Sequence, residues 1–391
     1  MLDYADFASE LHVLILFCRQ NRSPKDMERL NSLLDGGIDL SRVAQLARIH
    51  RVTPPVYRNA LTVDHPALPD FIAGLRAEVQ ANDRRVMRNS TALIQALKSL
   101  HASSVDVVLL KGLGVSWRYY GTYGARHCGD IDLLVHPDQL KRASGALTSA
   151  GFEHLSADDM KEPKSPIPGA ALFNHHLNFS WLGVPLVELH ARLHPNPALA
   201  PLRFDTIMHD GIPIHIAGVA CHIMSDKDQA IYLAVHGARH TWRRLQWLCD
   251  FQALVSRCGQ EELGGVIEIA ERQGIAPTLL QSLLLLHLLF DTALPQDIID
   301  RAWASRRVCY LVQRALESIA AQQRFDERPA KALSTNATVY LFSMAASARY
   351  YLYESLFRAI EFTRKRRSSS IAAETDDMRA DLPTEPKGTA H

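Results

Sequence analysis

The chain has 391 residues, enough for two or three compact units whose core needs no disulfide help. Its 43 Lys and Arg face 42 Asp and Glu, leaving a formal net charge of +1, so no global field recruits a polynucleotide by counterion release and nucleic acid is not implied as a partner. Six scattered cysteines (Cys18, Cys128, Cys221, Cys249, Cys258, Cys309) without a CxxC pair argue against a disulfide framework or a zinc ribbon, and the N-terminus lacks the basic region of a signal peptide; both point to a reducing, cytoplasmic compartment.

The first hundred residues read as helices. Leu11, Leu14, Ile15 and Cys18 recur at i, i+3, i+4 and i+7, and Ser41 reads as the N-cap of a helix carrying Val43, Leu46 and Ala47. Thr53-Pro54-Pro55 then breaks the pattern. Residues 71–100 set Leu75, Val79, Val86, Leu93, Leu97 and Leu100 among Arg, Asn and Gln, which predicts an amphipathic helix lying on the unit that follows.

Near residue 105 the period changes. Residues 105–110 (VDVVLL) have the β-branched character of a buried strand and run into Lys111-Gly112, with a helix expected to about residue 120. The segment GTYGARHCGD (121–130) is turn-rich, 131–135 (IDLLV) is strand-like, and 138–150 is helical with Gly151 closing it. After a Pro- and Lys-rich loop (161–169), residues 176–181 and 185–190 read as strands turning at Leu182-Gly183. This order predicts an α+β fold in which helices pack on a small mixed sheet. From Ser225, which forms a capping box with Asp228, the helical period returns over 225–240, 245–258, 261–273, 277–290 and 308–322, and last over an aromatic-rich stretch, 337–363. The most apolar run, 279–290, contains Gln281, Ser282 and His287 and is well short of the roughly 20 residues of a transmembrane helix. The polar tail 364–391 cannot offset its ordering entropy and is expected to be disordered. The expected organisation is an N-terminal helical region (1–102), a sheet core (103–222), a C-terminal helical domain (223–363) and the tail.

The chemistry concentrates in Gly129-Asp130-Ile131-Asp132. Strand residues i and i+2 share a face, so two carboxylates stand side by side and repel unless a cation sits between them; carboxylate oxygens are the ligands Mg²⁺ prefers. Glu188, charged within the apolar strand Val187-Glu188-Leu189, offers a third acid, and three acids on neighbouring strands suit two-metal phosphoryl transfer. A DxD tripeptide alone also marks turns and exposed strand edges. Upstream, however, the Lys111-Gly112 turn between strand and helix lets backbone N–H groups approach a phosphate, with Lys111 adding a point charge. Arg126, in the loop ahead of the acids, is placed to reach the triphosphate or the acceptor.

Together, LLKG, R-x-x-GDIDLLV and VELH resemble the nucleotidyltransferase superfamily with the DNA polymerase β-like fold. More narrowly they resemble the bacterial uncharacterised nucleotidyltransferase family, whose members read LKG…R…DIDLLV…(D/E)LH, over roughly residues 30–260. The resemblance implies transfer of a nucleoside monophosphate from an NTP, with ATP the default donor, to an acceptor that can be a small molecule, a peptide or a sugar. It implies two Mg²⁺ ions, with Mn²⁺ able to substitute, on Asp130, Asp132 and Glu188. Gly112 becomes the phosphate-loop glycine, with Lys111, Arg126 and Gly129 beside the nucleotide. Two positions depart from the superfamily: Lys-Gly replaces Gly-Ser, and the third acid is Glu rather than Asp. The competing function is a non-catalytic nucleotide- or partner-binding module that retains the fold.

The histidines offer another chemistry. His236 and His240 stand at i, i+4, and His190 and His194 repeat the spacing, so either pair can clasp zinc, as in a metal hydrolase; neither has the Glu of a zincin. His190 also follows Glu188 closely enough to orient it. The stretch Trp242, Arg243, Arg244, Trp247 and Asp250 suits domain packing or acceptor binding. The aromatic C-terminal helix followed by Arg364-Lys365-Arg366-Arg367 is either buried with a solvated end or in contact with an anionic membrane.

Overall fold

The computed structural model describes residues 4–155, 176–322 and 333–360, and over them several helices begin where a side chain satisfies first-turn amides. Ser23 caps the helix Pro24–Asp35 in a capping box: its Oγ accepts from the Asp26 amide at 3.2 Å, and the Asp26 carboxylate accepts from the Ser23 amide at 2.9 Å. The cap of Leu40–Ile49 is Asp39 rather than Ser41, because the Asp39 carboxylate accepts both the Ser41 and Arg42 amides. Thr53-Pro54-Pro55 starts a helix, Thr53–Ala60, instead of only ending one; prolines in a first turn give up amides that have no intrahelical partner. Ser225 accepts the Asp228 amide at the start of Asp226–Arg239, the forward half of the expected box.

The fold is α+β. Seven strands lie in one mixed sheet among the described residues: β1 (Val108–Leu109), β2 (Ile131–Leu134), β3 (Glu153–Leu155), β4 (His176–Trp181), β5 (Val184–His190), β6 (Ile212–Ile216) and β7 (Val219–Ile223), in the order β3-β4-β5-β2-β1-β7-β6. β1 runs antiparallel to β2 and parallel to β7, while β2 runs parallel to β5. The expected strand at 105–110 contracts to two residues, although the Leu110 amide still donates to the Asp132 carbonyl at 3.0 Å. The β6–β7 hairpin was not among the expected elements. Its alternation, IPIHI then VACHI about Ala217-Gly218, carries the strand signal, and both turn residues have positive φ (49° and 82°) as tight hairpins require.

One face of the sheet buries Leu109, Leu133 and Leu189 against Leu93 and Leu97 of the long helix Leu68–Ala102 and against Ala143 and Leu147 of Leu140–Ser149. The other face contributes Val108, Leu110 and Leu134 to a second core that joins N-terminal residues such as Leu14 and Leu46 with C-terminal ones such as Leu248 and Leu283. Arg19 stitches these ends together by donating to the Leu289 carbonyl at 3.2 and 3.0 Å while paired to Asp26. At the C-terminal end, the aromatic stretch forms two helical pieces, Leu333–Ser343 and residues 348–360. The chain between them turns aside so that the Ala346 amide can donate to the Gly274 carbonyl at 2.7 Å, and the Ser347 hydroxyl accepts the Tyr350 amide to start the second piece. The loop at 161–169 and the tail 364–391 lie outside the described residues. Among the described residues no helix is long and apolar enough to cross a membrane.

The turn that delivers Trp242 to the core leaves no room at Gly237, where an added Cβ would overlap the fully buried Trp242 ring. Gly237→Ala is therefore expected to cost about 1–3 kcal/mol through overpacking. A lowered urea midpoint at unchanged m-value is the expected readout; an unchanged midpoint would contradict the packing.

Candidate functional site

The site begins with register. β2 and β5 are parallel, and Asp132 pairs with Glu188 while Leu134 pairs with His190, so all these residues alternate in step. Asp132 and Glu188 consequently project to the same face, one strand apart. The ligand atoms of Asp132, Glu188 and His190 lie within 4.8 Å of one another. Asp130 precedes the first residue of β2 and is outside this tight group; it lines the same cavity as Glu188 and His190, whereas Asp132 lies buried behind that lining.

Asp132 is fully buried. One of its oxygens, Oδ1, lies 3.1 Å from Lys111 Nζ and 3.2 Å from His190 Nε2. The other, Oδ2, is buried with no hydrogen-bond partner, which is costly for a carboxylate unless something positive occupies that side. His190 Nε2 also lies 3.3 Å from Glu188 Oε2. Burial disfavours charge on all these groups, but the interactions among them prevail. His190 is raised above its ordinary pKa by its bonds to Asp132 and Glu188; Lys111 is held well above its own by Asp132, with Tyr232, Asp130 and Glu188 contributing; and Glu188 is brought down to about 2 by the His190 bond and Lys111. An oxygen donor set with an orphaned carboxylate oxygen and an adjacent imidazole fits a divalent cation, and Asp132, Glu188 and His190 can hold one.

The Lys111-Gly112 turn abuts this group. Gly112 has φ 63° and ψ −118°, a conformation that only glycine adopts readily, and a Cβ there would meet the Asp130 carbonyl oxygen at 3.1 Å. The helix Leu113–Tyr120 starts directly after it, and Arg118 and Tyr119 anchor that helix to Asp226 at 2.7 and 2.8 Å.

Arg126 takes a different position from an open-loop arginine. It is buried, with Nε and Nη2 donating to the two oxygens of Asp250 at 2.8 and 2.6 Å and Nη1 donating to the Gly112 carbonyl at 3.1 Å. It thereby ties the glycine turn to the helix Leu245–Val255. Gly129 lines the cavity between His127 and Asp130.

Polar side chains of two helices hold the loop ahead of the acids. Asn82 Nδ2 donates to the Arg126 carbonyl at 3.2 Å, Asn89 Nδ2 to the Cys128 carbonyl at 3.1 Å and Gln246 Nε2 to the His127 carbonyl at 2.6 Å. Asn82 and Asn89 are buried at i, i+7 in the long helix; two asparagines facing the apolar side are the signal available in the sequence.

These elements enclose a cavity of about 370 Å³ that brings Lys111, Gly112, Arg126, Gly129, Asp130 and Glu188 together with Arg51, Tyr232, His236, His240, Arg243, Arg244 and Trp247. His236 and His240 pack edge-on with centroids 5.1 Å apart, and His240 stacks on Trp247 at 5.0 Å. Burial, reinforced by nearby cations, keeps both imidazoles neutral: His236 lies well below its ordinary pKa and His240 falls to about 4. Among the described residues neither belongs to a metal-ligating group of three. They form an aromatic wall opposite the acids.

A model of the family described as uncharacterised nucleotidyltransferase matches residues 36–291, which includes the glycine turn, both strands bearing the acids, and the aromatic wall. No curated protein and no solved structure matches the chain. With more than half of its length matched, the chain belongs to this family of nucleotidyltransferases.

Proposed function

We propose that the chain transfers a nucleoside monophosphate, AMP from ATP by default, to a small-molecule, peptide or sugar acceptor, with Asp130, Asp132 and Glu188 carrying two Mg²⁺ ions. The observation that carries this reading is the unpartnered Oδ2 of buried Asp132, one strand from Glu188 and beside the Lys111-Gly112 turn. Bound divalent cations would supply Lewis-acid stabilisation of the charge on the transferring phosphoryl group. The chain's own residues do the rest. Gly112 lets backbone amides approach the phosphates at a helix start, while Lys111 keeps a positive charge beside Asp132. Arg126 positions the turn through Gly112 and Asp250, and Gly129 lines the cavity next to Asp130. His190 orients the Asp132 and Glu188 carboxylates. The acceptor oxygen attacks the α-phosphorus, the bond from that phosphorus to the bridging oxygen breaks, pyrophosphate departs with the electron pair, and the acceptor's proton passes to solvent water, while Glu188, whose side chain is 32 % exposed, accepts a hydrogen bond from the acceptor hydroxyl and orients it.

The test is incubation of the full chain with α-labelled NTPs, Mg²⁺ and cell extract, beside Asp130→Asn and Glu188→Gln. Label is expected on an acceptor with wild type and greatly reduced with both variants. Label undiminished in both overturns the site assignment, and nucleotide binding without any transfer by wild type supports the non-catalytic module instead.

A further inference from the structure

Lys111 is committed to Asp132 at 3.1 Å and Arg126 to Asp250, so the cations nearest the glycine turn already have carboxylate partners. Three other arginines in the cavity wall do not. Among the described residues no carboxylate lies within ion-pair distance of Arg51, Arg243 or Arg244.

They come from distant parts of the chain and are deliberately joined. Arg51 follows the helix Leu40–Ile49, while Arg243 and Arg244 precede the helix Leu245–Val255. His50 links the two segments: its carbonyl accepts the Gln246 amide at 3.2 Å and its Nδ1 accepts the Leu245 amide at 3.3 Å. Arg51 itself is held at φ 57°, and Thr241 and Trp242 at 51° and 52°, left-handed conformations that cost energy and persist only where surrounding structure imposes them. The result places Arg51 Nη1 3.9 Å from where a Cβ on Gly129 would stand, next to Asp130. Arg244 rests over the Trp247 ring, 5.6 Å from its centroid.

Arg51 and Arg244 are partly buried and Arg243 is exposed; like charges gathered in one cavity wall repel and are stabilised by an anion. Burial, with Arg51 and Arg243, pushes the Arg244 guanidinium down to about 10, and burial, with Arg85, Arg51, Arg126 and Arg244, pushes neighbouring His127 to about 3. The planar fork of arginine suits bidentate contact with phosphate oxygens.

We propose that Arg51, Arg243 and Arg244 form a polyphosphate subsite that grips the β- and γ-phosphates of the donor nucleotide. This rests on the nucleotidyl-transfer reading and deepens it, since the charges that recognise the donor then come from outside the sheet.

The test is calorimetric titration of the full chain with tripolyphosphate in EDTA, which removes any contribution from metal held by the acids. Wild type is expected to bind. Arg51→Gln and the double variant Arg243→Gln/Arg244→Gln are each expected to weaken binding at least about tenfold, with Arg→Lys versions weakened less and thermal midpoints unchanged. Asp130→Asn is expected to bind as tightly as wild type or more tightly, because it removes the acid nearest Arg51. Displacement by ATP but not by AMP or a sugar monophosphate assigns the subsite to the donor; equal displacement by the monophosphates assigns it to a phosphorylated acceptor and overturns the proposal. Wild-type affinity in the Arg→Gln variants, or no binding by wild type, also overturns it. Lost binding in those variants together with absent transfer activity in wild type leaves the subsite standing and removes only the enzymatic reading.

Discussion

Asp132→Asn is expected to lower nucleotidyl transfer by about 10³-fold or more, because several kcal/mol of transition-state charge stabilisation depend on that carboxylate. Asn is nearly isosteric, so the β2–β5 register and the backbone bond from Leu110 to the residue-132 carbonyl should survive. What disappears is the charge. Oδ1 faces Lys111 Nζ and His190 Nε2 and Oδ2 faces no partner, so the amide keeps acceptor contacts on one side and offers a poor ligand on the other. The loss should fall on turnover and on metal affinity together. Rate measurements across a Mg²⁺ or Mn²⁺ titration, with circular dichroism to verify the fold, check this; a variant retaining a tenth of wild-type turnover would remove Asp132 from the proposed centre.

The second large effect concerns stability. Arg126→Met leaves the Asp250 carboxylate buried without its bidentate partner, and Asp250→Leu strands the Arg126 guanidinium in the same way. Each single variant is expected to lose about 3–5 kcal/mol. The double variant should recover part of that, since no uncompensated charge remains, although Tyr120 loses its acceptor, Asp250 Oδ1 at 3.0 Å. Urea unfolding of the four species closes the cycle. Additive losses would show that the two side chains are not coupled. Transfer activity should fall in Arg126→Met as well, because Nη1 no longer holds the Gly112 carbonyl.

Much of this architecture is legible in the sequence. The strands at 131–134, 176–181 and 184–190 stood out as short apolar runs bounded by turn residues, and the Lys111-Gly112 turn by a residue that readily tolerates φ 63°. The β6–β7 hairpin escaped although its alternation was present, because two short strands about Ala217-Gly218 compete with the helical signal that follows them. The cap at Asp39 and the helix at Thr53–Ala60 escaped because neighbouring polar or proline residues satisfy the same local rule one or two positions apart.

The sequence by itself determined local matters: the strands around the acids, that acids occupy two of them, which glycine must turn, and which family motif the chain bears. Only the tertiary structure decided partners. It placed Glu188 opposite Asp132, turned Arg126 inward onto Asp250, inserted His190 between two acids, and used His50 to draw Arg51 to Arg243 and Arg244. The physical reason is range. Periodicity states the face on which a side chain stands, whereas its charge, hydrogen bonds and protonation depend on groups that lie dozens to hundreds of residues away and meet it only when the helical layers close over the sheet.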